Sequence, residues 1–167
     1  MFGIVEAMAI SIRPASDSDR EQILALATRL TEGVAEWRDP DAVKQAVTGW
    51  VKDSLDESHQ DNQTVLVADL DGSVGGFVSV GTRKHWSGAI DGYIGELVVS
   101  HEAEGAGIGS ALIQAAAEWS REQELERVSV DTGAANTRAR NLYKRLGFDE
   151  EGITLSIATS QGPPSRN

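Results

Sequence analysis

The sequence predicts an α/β layer structure, one domain built on a mixed β-sheet with helices packed against it. Three observations predict it. Residues 64–70 and 73–81 are β-rich runs around Asp71-Gly72, the strongest short-range hairpin signal in the chain, so the early strands are antiparallel. Further on, strand-like and helix-like periods alternate, which implies parallel strands joined by helical crossovers. The length of 167 residues suits a single hydrophobic core and leaves no room for a second.

The elements follow in order. Residues 10–13 read as a short first strand. Ser16 to Asp19 supply helix-start residues, and Ile23, Leu26, Ala27 and Leu30 repeat at helical spacing until Gly33 ends the run. Asp39-Pro40 opens a second helix whose buried stripe is Val43, Val47, Trp50 and Val51. A polar loop at 58–63 leads into the hairpin, and a second polar loop at 82–91 leads into a strand at 93–99. Gly95 fits a bulge in that strand. The next helix carries Ile108, Leu112, Ala115, Ala116 and Trp119 on one stripe. A strand at 127–131 follows, then a helix capped by Asn136 and closed by Gly147. Phe148, Ile153, Leu155 and Ile157 read as a final strand. The domain is therefore set at 10–160, with residues 1–9 as an N-terminal extension and 161–167, holding Pro163-Pro164, as a flexible tail. Translation from Met8 reads as well as translation from Met1.

Composition narrows the functional classes. No cysteine is present, so disulfides, thiol catalysis and thiolate metal sites are excluded, and a cytoplasmic setting is expected. No apolar run reaches the length of a membrane span, and residues 1–9 lack the basic start of a secretory signal. The net charge of −11 opposes a nucleic-acid partner and favours cations. One segment runs the other way: between Asp131 and Phe148, Arg138, Arg140, Lys144 and Arg145 face a lone acidic residue. His59, His85 and His101 are scattered without metal-ligand spacing, so no metal is expected.

The richest local signal is Glu104-Gly105-Ala106-Gly107-Ile108-Gly109-Ser110, lying between a strand-like and a helix-like segment. Glycines at alternate positions permit a tight turn and leave the first helical N–H groups bare, where a phosphate is favoured by both hydrogen bonding and the helix dipole. Tight packing of strand on helix is an equally physical reason for such glycines. Downstream come Asn136, Tyr143, Gly147 and Phe148 on one helix and its exit. Together, in this order, the two segments resemble the GNAT superfamily of acetyl-CoA-dependent N-acetyltransferases. The first matches the family's coenzyme A pyrophosphate loop, and the second its helix carrying an asparagine and a tyrosine before a glycine-phenylalanine. The resemblance extends more loosely from Ile10 to Ile157. It departs at Glu104, where the family usually has arginine or glutamine, and at Ala106, where a second basic residue is common. An acidic side chain beside a pyrophosphate is unfavourable unless turned away, so backbone N–H groups are expected to do most of the binding.

The resemblance implies a sheet that splays between the 93–99 and 127–131 strands, with acetyl-CoA in the opening as co-substrate and a primary amine of a small molecule or peptide as acceptor. It implies coenzyme contacts from Leu97, Val98 and Val99, from Glu104 through Ser110 (Gly105, Ala106, Gly107, Ile108 and Gly109 between them), and from Asn136 and Tyr143. Amine acetylation needs a proton acceptor, donors for the thioester oxygen and an acid for the leaving thiolate. Glu96, mid-strand among apolar neighbours, is the candidate base, or else a glutamate held by a structural hydrogen bond. Tyr143 is the candidate acid, or else a core tyrosine on the stripe of Ala139, Leu142 and Leu146. Trp37, His85 and Asp91 are candidates for the acceptor pocket, while Trp50 is expected in the core. A homodimer is compatible with this reading. Two rivals stand beside it. One is a dinucleotide fold with Asp131 on a ribose, although its third glycine falls on Ser110. The other is a non-catalytic acetyl-CoA-binding sensor or interaction module of the same fold.

Overall fold

The computed structural model describes residues 10–160. The expected extension at 1–9 and tail at 161–167 lie outside the described residues. Five strands form one sheet in sequence order: β1 (Ile10–Pro14), β2 (Gln63–Leu70), β3 (Ser73–Lys84), β4 (Ile90–Val99) and β5 (Val128–Val130). The first four pair antiparallel, and β5 joins β4 in parallel through the crossover helix α3 (Ile108–Glu122). Asp71 and Gly72 both take positive φ, 52° and 94°, as the tight β2–β3 turn requires.

Apolar residues cover both faces of the sheet. On one face Ile108, Leu112, Ile113 and Ala116 of α3 pack on Ala68, Val78, Val80 and Ile94. On the other, Ile23 and Ala27 join Val51 and Leu55 against Val65, Val67, Phe77 and Val98. The first two come from α1 (Arg20–Leu26) and the 3₁₀ turn Ala27–Thr31, the second two from α2 (Pro40–Glu57). Asp39 caps α2 by accepting the N–H of Ala42, with Pro40 at the first helical position.

Four expectations change. The first helix is split into a 3₁₀ turn at Asp17–Asp19, α1, and the Ala27–Thr31 turn. Thr28 and Thr31 donate their hydroxyls to Ala25 O and Thr28 O, competing with the α-helical pattern. The polar loop expected at 82–91 is mostly sheet, because β3 and β4 extend to a short turn closed by His85 N–H on Ala89 O. Trp50 is not core: Val47, Val51 and Leu55 take the buried stripe of α2, and Trp50, one residue off it, is 58% exposed. No strand forms over residues 148–160, and Ile153, Leu155 and Ile157 are exposed. Alternating apolar residues make a strand only where an edge and a core face receive them, and β5 is three residues long. The fourth helix, α4 (Thr137–Arg145), forms as expected, its N–H at Ala139 accepted by Asn136 Oδ1.

Candidate active site

The site begins with a bulge. Val78 pairs Leu97 and Val80 pairs Ile94, so β4 carries one residue more than β3 between those pairs. The extra residue falls at Gly95-Glu96 and reverses the side-chain alternation. Ile94 joins the α3 face while Val98 joins the α1–α2 face. Glu96 is thereby turned toward α2, where its Oε2 accepts hydrogen bonds from Ser54 Oγ (3.0 Å) and Ser79 Oγ. Ser79 Oγ also accepts the N–H of Glu96 (2.9 Å), so one hydroxyl fixes both ends of this residue. Gly95 is required, since a Cβ there would lie 2.8 Å from Ser79 Oγ. Glu96 is 6% exposed, yet it lines two adjoining cavities.

Beyond the bulge the sheet opens. β4 and β5 stay in register only from Gly92↔Val128 to Ile94↔Val130. The N–H groups of Glu96 and Ser100 point toward β3, to Ser79 Oγ and Gly75 O. Alternation along the extended chain turns those of Leu97 and Val99 the other way, into the opening. The backbone after the Ala27–Thr31 turn crosses this gap. A Cβ on Gly133 would sit 2.4 Å from Gly33 O, and one on Gly33, at φ +79°, would sit 2.5 Å from Asn136 Cβ.

Under that crossing lies a cavity of about 230 Å³, lined by Gly33, Glu96, Leu97, Asn136, Ala139 and Tyr143 among others. It adjoins a wider one of about 640 Å³ reached by Trp50, Asp53, Glu57, Tyr93 and Asp131. Tyr143 is buried against Phe148, with ring centroids 5.4 Å apart, and burial pushes its phenol up to about 12. A phenol so placed keeps its proton at neutral pH.

The glycine segment also takes its turn. Gly105 and Gly107 have φ of +80° and +81°, and a Cβ on either would meet open space. α3 starts at Ile108, so the first N–H groups after Gly107 have no intrahelical acceptor. Gly109 differs: a Cβ there would press on Leu142 Cδ2 at 3.1 Å, so it serves the packing of α3 on α4. Glu104 is not opposed to anions in isolation. Its Oε1 meets Arg29 Nη2 at 2.6 Å and Arg138 Nη1 at 2.5 Å, and Arg138 foremost, then Arg29, hold its pKa near about 2.

The structure thus brings Glu96, Leu97, Asn136 and Tyr143 to one cavity, while Val98 turns into the core. Trp37, 73% exposed, lines neither cavity, and neither do His85 or Asp91. His85 instead pairs with Ser87 and Glu151 in the β3–β4 turn. Sequence reasoning missed Ser54, Ser79, Arg29 and Gly133. Ser54 falls one turn before Glu57 on the predicted second helix and beside its apolar stripe, a signal that was present; nothing local marks the others. Among the described residues no group of three or more His, Asp or Glu is placed to hold a metal. No described helix is long and apolar enough to cross a membrane.

The chain resembles known proteins in sequence and in fold. A provisionally named ribosomal-protein-bS18-alanine N-acetyltransferase of Bacillus subtilis is 28% identical over 68% of this chain and 73% of its own length. The streptothricin acetyltransferase of Escherichia coli is 28% identical over 66% of this chain and 62% of its own. The solved structure of AAC(6')-Iy with the bisubstrate analogue CoA-S-monomethyl-acetylneamine covers 90% of this chain and 98% of that one, at a TM-score of 0.64 and 19% identity, a likeness of fold. The sequence model of the acetyltransferase (GNAT) family matches residues 31–148. With the strand order, the opened sheet and the glycine turn, that match shows that the chain belongs to the GNAT family of acyltransferases.

Proposed function

We propose that this protein transfers the acetyl group of acetyl-CoA to a primary amine of a small-molecule or peptide acceptor, by direct attack with both reactants bound. The observation that carries this reading is that Glu96 and Tyr143 line the same cavity at the point where β4 and β5 part. Glu96 takes the proton of the attacking amine, directly or through water. The N–H groups of Leu97 and Val99 meet the carbonyl oxygen as charge gathers on it. Tyr143 gives its proton to the sulfur as the carbon–sulfur bond breaks, leaving the N-acetylated amine and the free thiol. The backbone of Gly105 to Ser110 holds the pyrophosphate, and Asn136 reaches the pantetheine arm. The chain has no cysteine to carry an acetyl group between half-reactions, which favours a ternary complex.

The acceptor enters the wider cavity. Its lining holds Asp53, Glu57 and Glu96 and no Lys or Arg, a setting for a cationic amine, while the Asp131 carboxylate there is already paired with Arg83 at 2.7 Å. Streptothricin is the substrate named for two relatives, and it belongs in the first panel tested. Thiol release from acetyl-CoA against a panel of amines tests the reading. Release with at least one amine, matched by its acetylated product, is the expected result. Tight acetyl-CoA binding without release to any amine would leave the sensor reading in its place.

A further inference from the structure

We infer that Arg29 and Arg138 are the cationic ligands of the coenzyme's phosphates, and that the Glu104 carboxylate keeps their place until the phosphates displace it. The inference rests on the coenzyme reading above. Three separate segments meet at Glu104 Oε1: the 3₁₀ turn that carries Arg29, the loop that opens α3, and the first turn of α4 that carries Arg138. His101 Nδ1 adds a third contact at 3.4 Å. Glu104 immediately precedes Gly105 and stands three residues before Gly107, the left-handed glycines with their open approach. Both guanidiniums converge on the one anionic oxygen Oε1, as they would on a single phosphate oxygen.

The two arginines are held differently. Arg29 also donates to Val99 O and forks onto Glu32 Oε1 and Oε2 (3.0 and 3.1 Å), and its side chain is 15% exposed. It remains anchored when Glu104 leaves. Arg138 has Glu104 as its ion-pair partner among the described residues, and its side chain is 63% exposed. It is the arm that swings from carboxylate to phosphate. A chain with an acidic residue at this loop position thus supplies its missing positive charge from two other elements, and the acid orients that charge in the free protein.

Calorimetric binding of acetyl-CoA and of S-acetylpantetheine, which lacks the phosphates, separates the effects. Arg138→Ala is expected to weaken acetyl-CoA binding on the order of tenfold, the scale of one charge-assisted contact, and to leave S-acetylpantetheine unchanged. Arg138→Lys should recover part of the loss. Glu104→Gln, which frees Arg138 and removes the competing negative charge, should strengthen acetyl-CoA binding. Unchanged acetyl-CoA affinity in Arg138→Ala, equal losses for both ligands, or weaker binding in Glu104→Gln would each overturn the inference while leaving the acetyl-CoA reading intact. A wild-type protein that binds neither ligand would overturn that reading itself.

Discussion

Burial gives Tyr143 its proton and Ser79 gives Glu96 its orientation, so the two residues should fail in different ways. In the proposed mechanism, Tyr143→Phe removes a group that acts as the carbon–sulfur bond breaks. It is expected to lower kcat by about 10²-fold with acetyl-CoA affinity nearly unchanged, read by steady-state kinetics beside direct binding. Glu96→Gln removes the proton acceptor but leaves an amide able to keep one serine contact. Its pH–rate profile should rise only toward the pKa of the amine itself, and its defect should shrink at high pH. A defect equal at all pH values would make Glu96 an orienting residue. The sequence singled out both residues, one from its strand position and one from its helix motif, and the structure places both on one cavity. Their partners were not, because Ser54, Ser79 and Arg29 come from distant segments that only folding joins.

The glycine turn and the Asp19 cap carry predictions for single elements. Gly107 stands at φ +81° as the residue before α3, a conformation that costs a β-branched residue about 1–3 kcal/mol. Gly107→Val should therefore lower stability modestly in a denaturant titration and abolish acetyl-CoA binding in the still-folded protein, since its side chain would fill the phosphate approach. Retained affinity would remove the loop from the binding reading. Asp19 is buried, accepts two hydrogen bonds from Arg13 and one from the Ser16 N–H, and is held well below the usual carboxylate range, chiefly by Arg13. A depressed folded-state pKa stabilises the protein above the unfolded-state value near about 3.9 and loses that contribution as pH falls toward the folded one. Stability of the wild type should thus drop between about pH 4 and lower values, and Asp19→Asn should flatten that part of the curve. The hairpin, the bulge at Gly95 and the α3 stripe were readable because local spacing dictates them. The final strand was misread from the same kind of spacing, because alternation at Ile153, Leu155 and Ile157 says nothing about whether a partner edge is waiting.

The whole molecule is strongly acidic, at −11, while Arg29 and Arg138 meet beside the glycine turn at Glu104. Long-range attraction should raise the local concentration of a cationic acceptor, so its KM should climb with added salt, more steeply for a doubly charged amine than for a singly charged one. A KM indifferent to ionic strength would confine electrostatics to the lining carboxylates. The crossing of Gly33 over Gly133 has a consequence for traffic. It leaves a small cavity on one side of Glu96 and a broad one on the other, with Trp50, Gly95, Glu96 and Asp131 to Gly133 lining both. On the proposed reading a thin thioester arm and a wide acceptor take different rooms, so neither must step out for the other to enter, and an inert mimic of the acceptor should halt turnover by filling the wider one while the arm is already threaded.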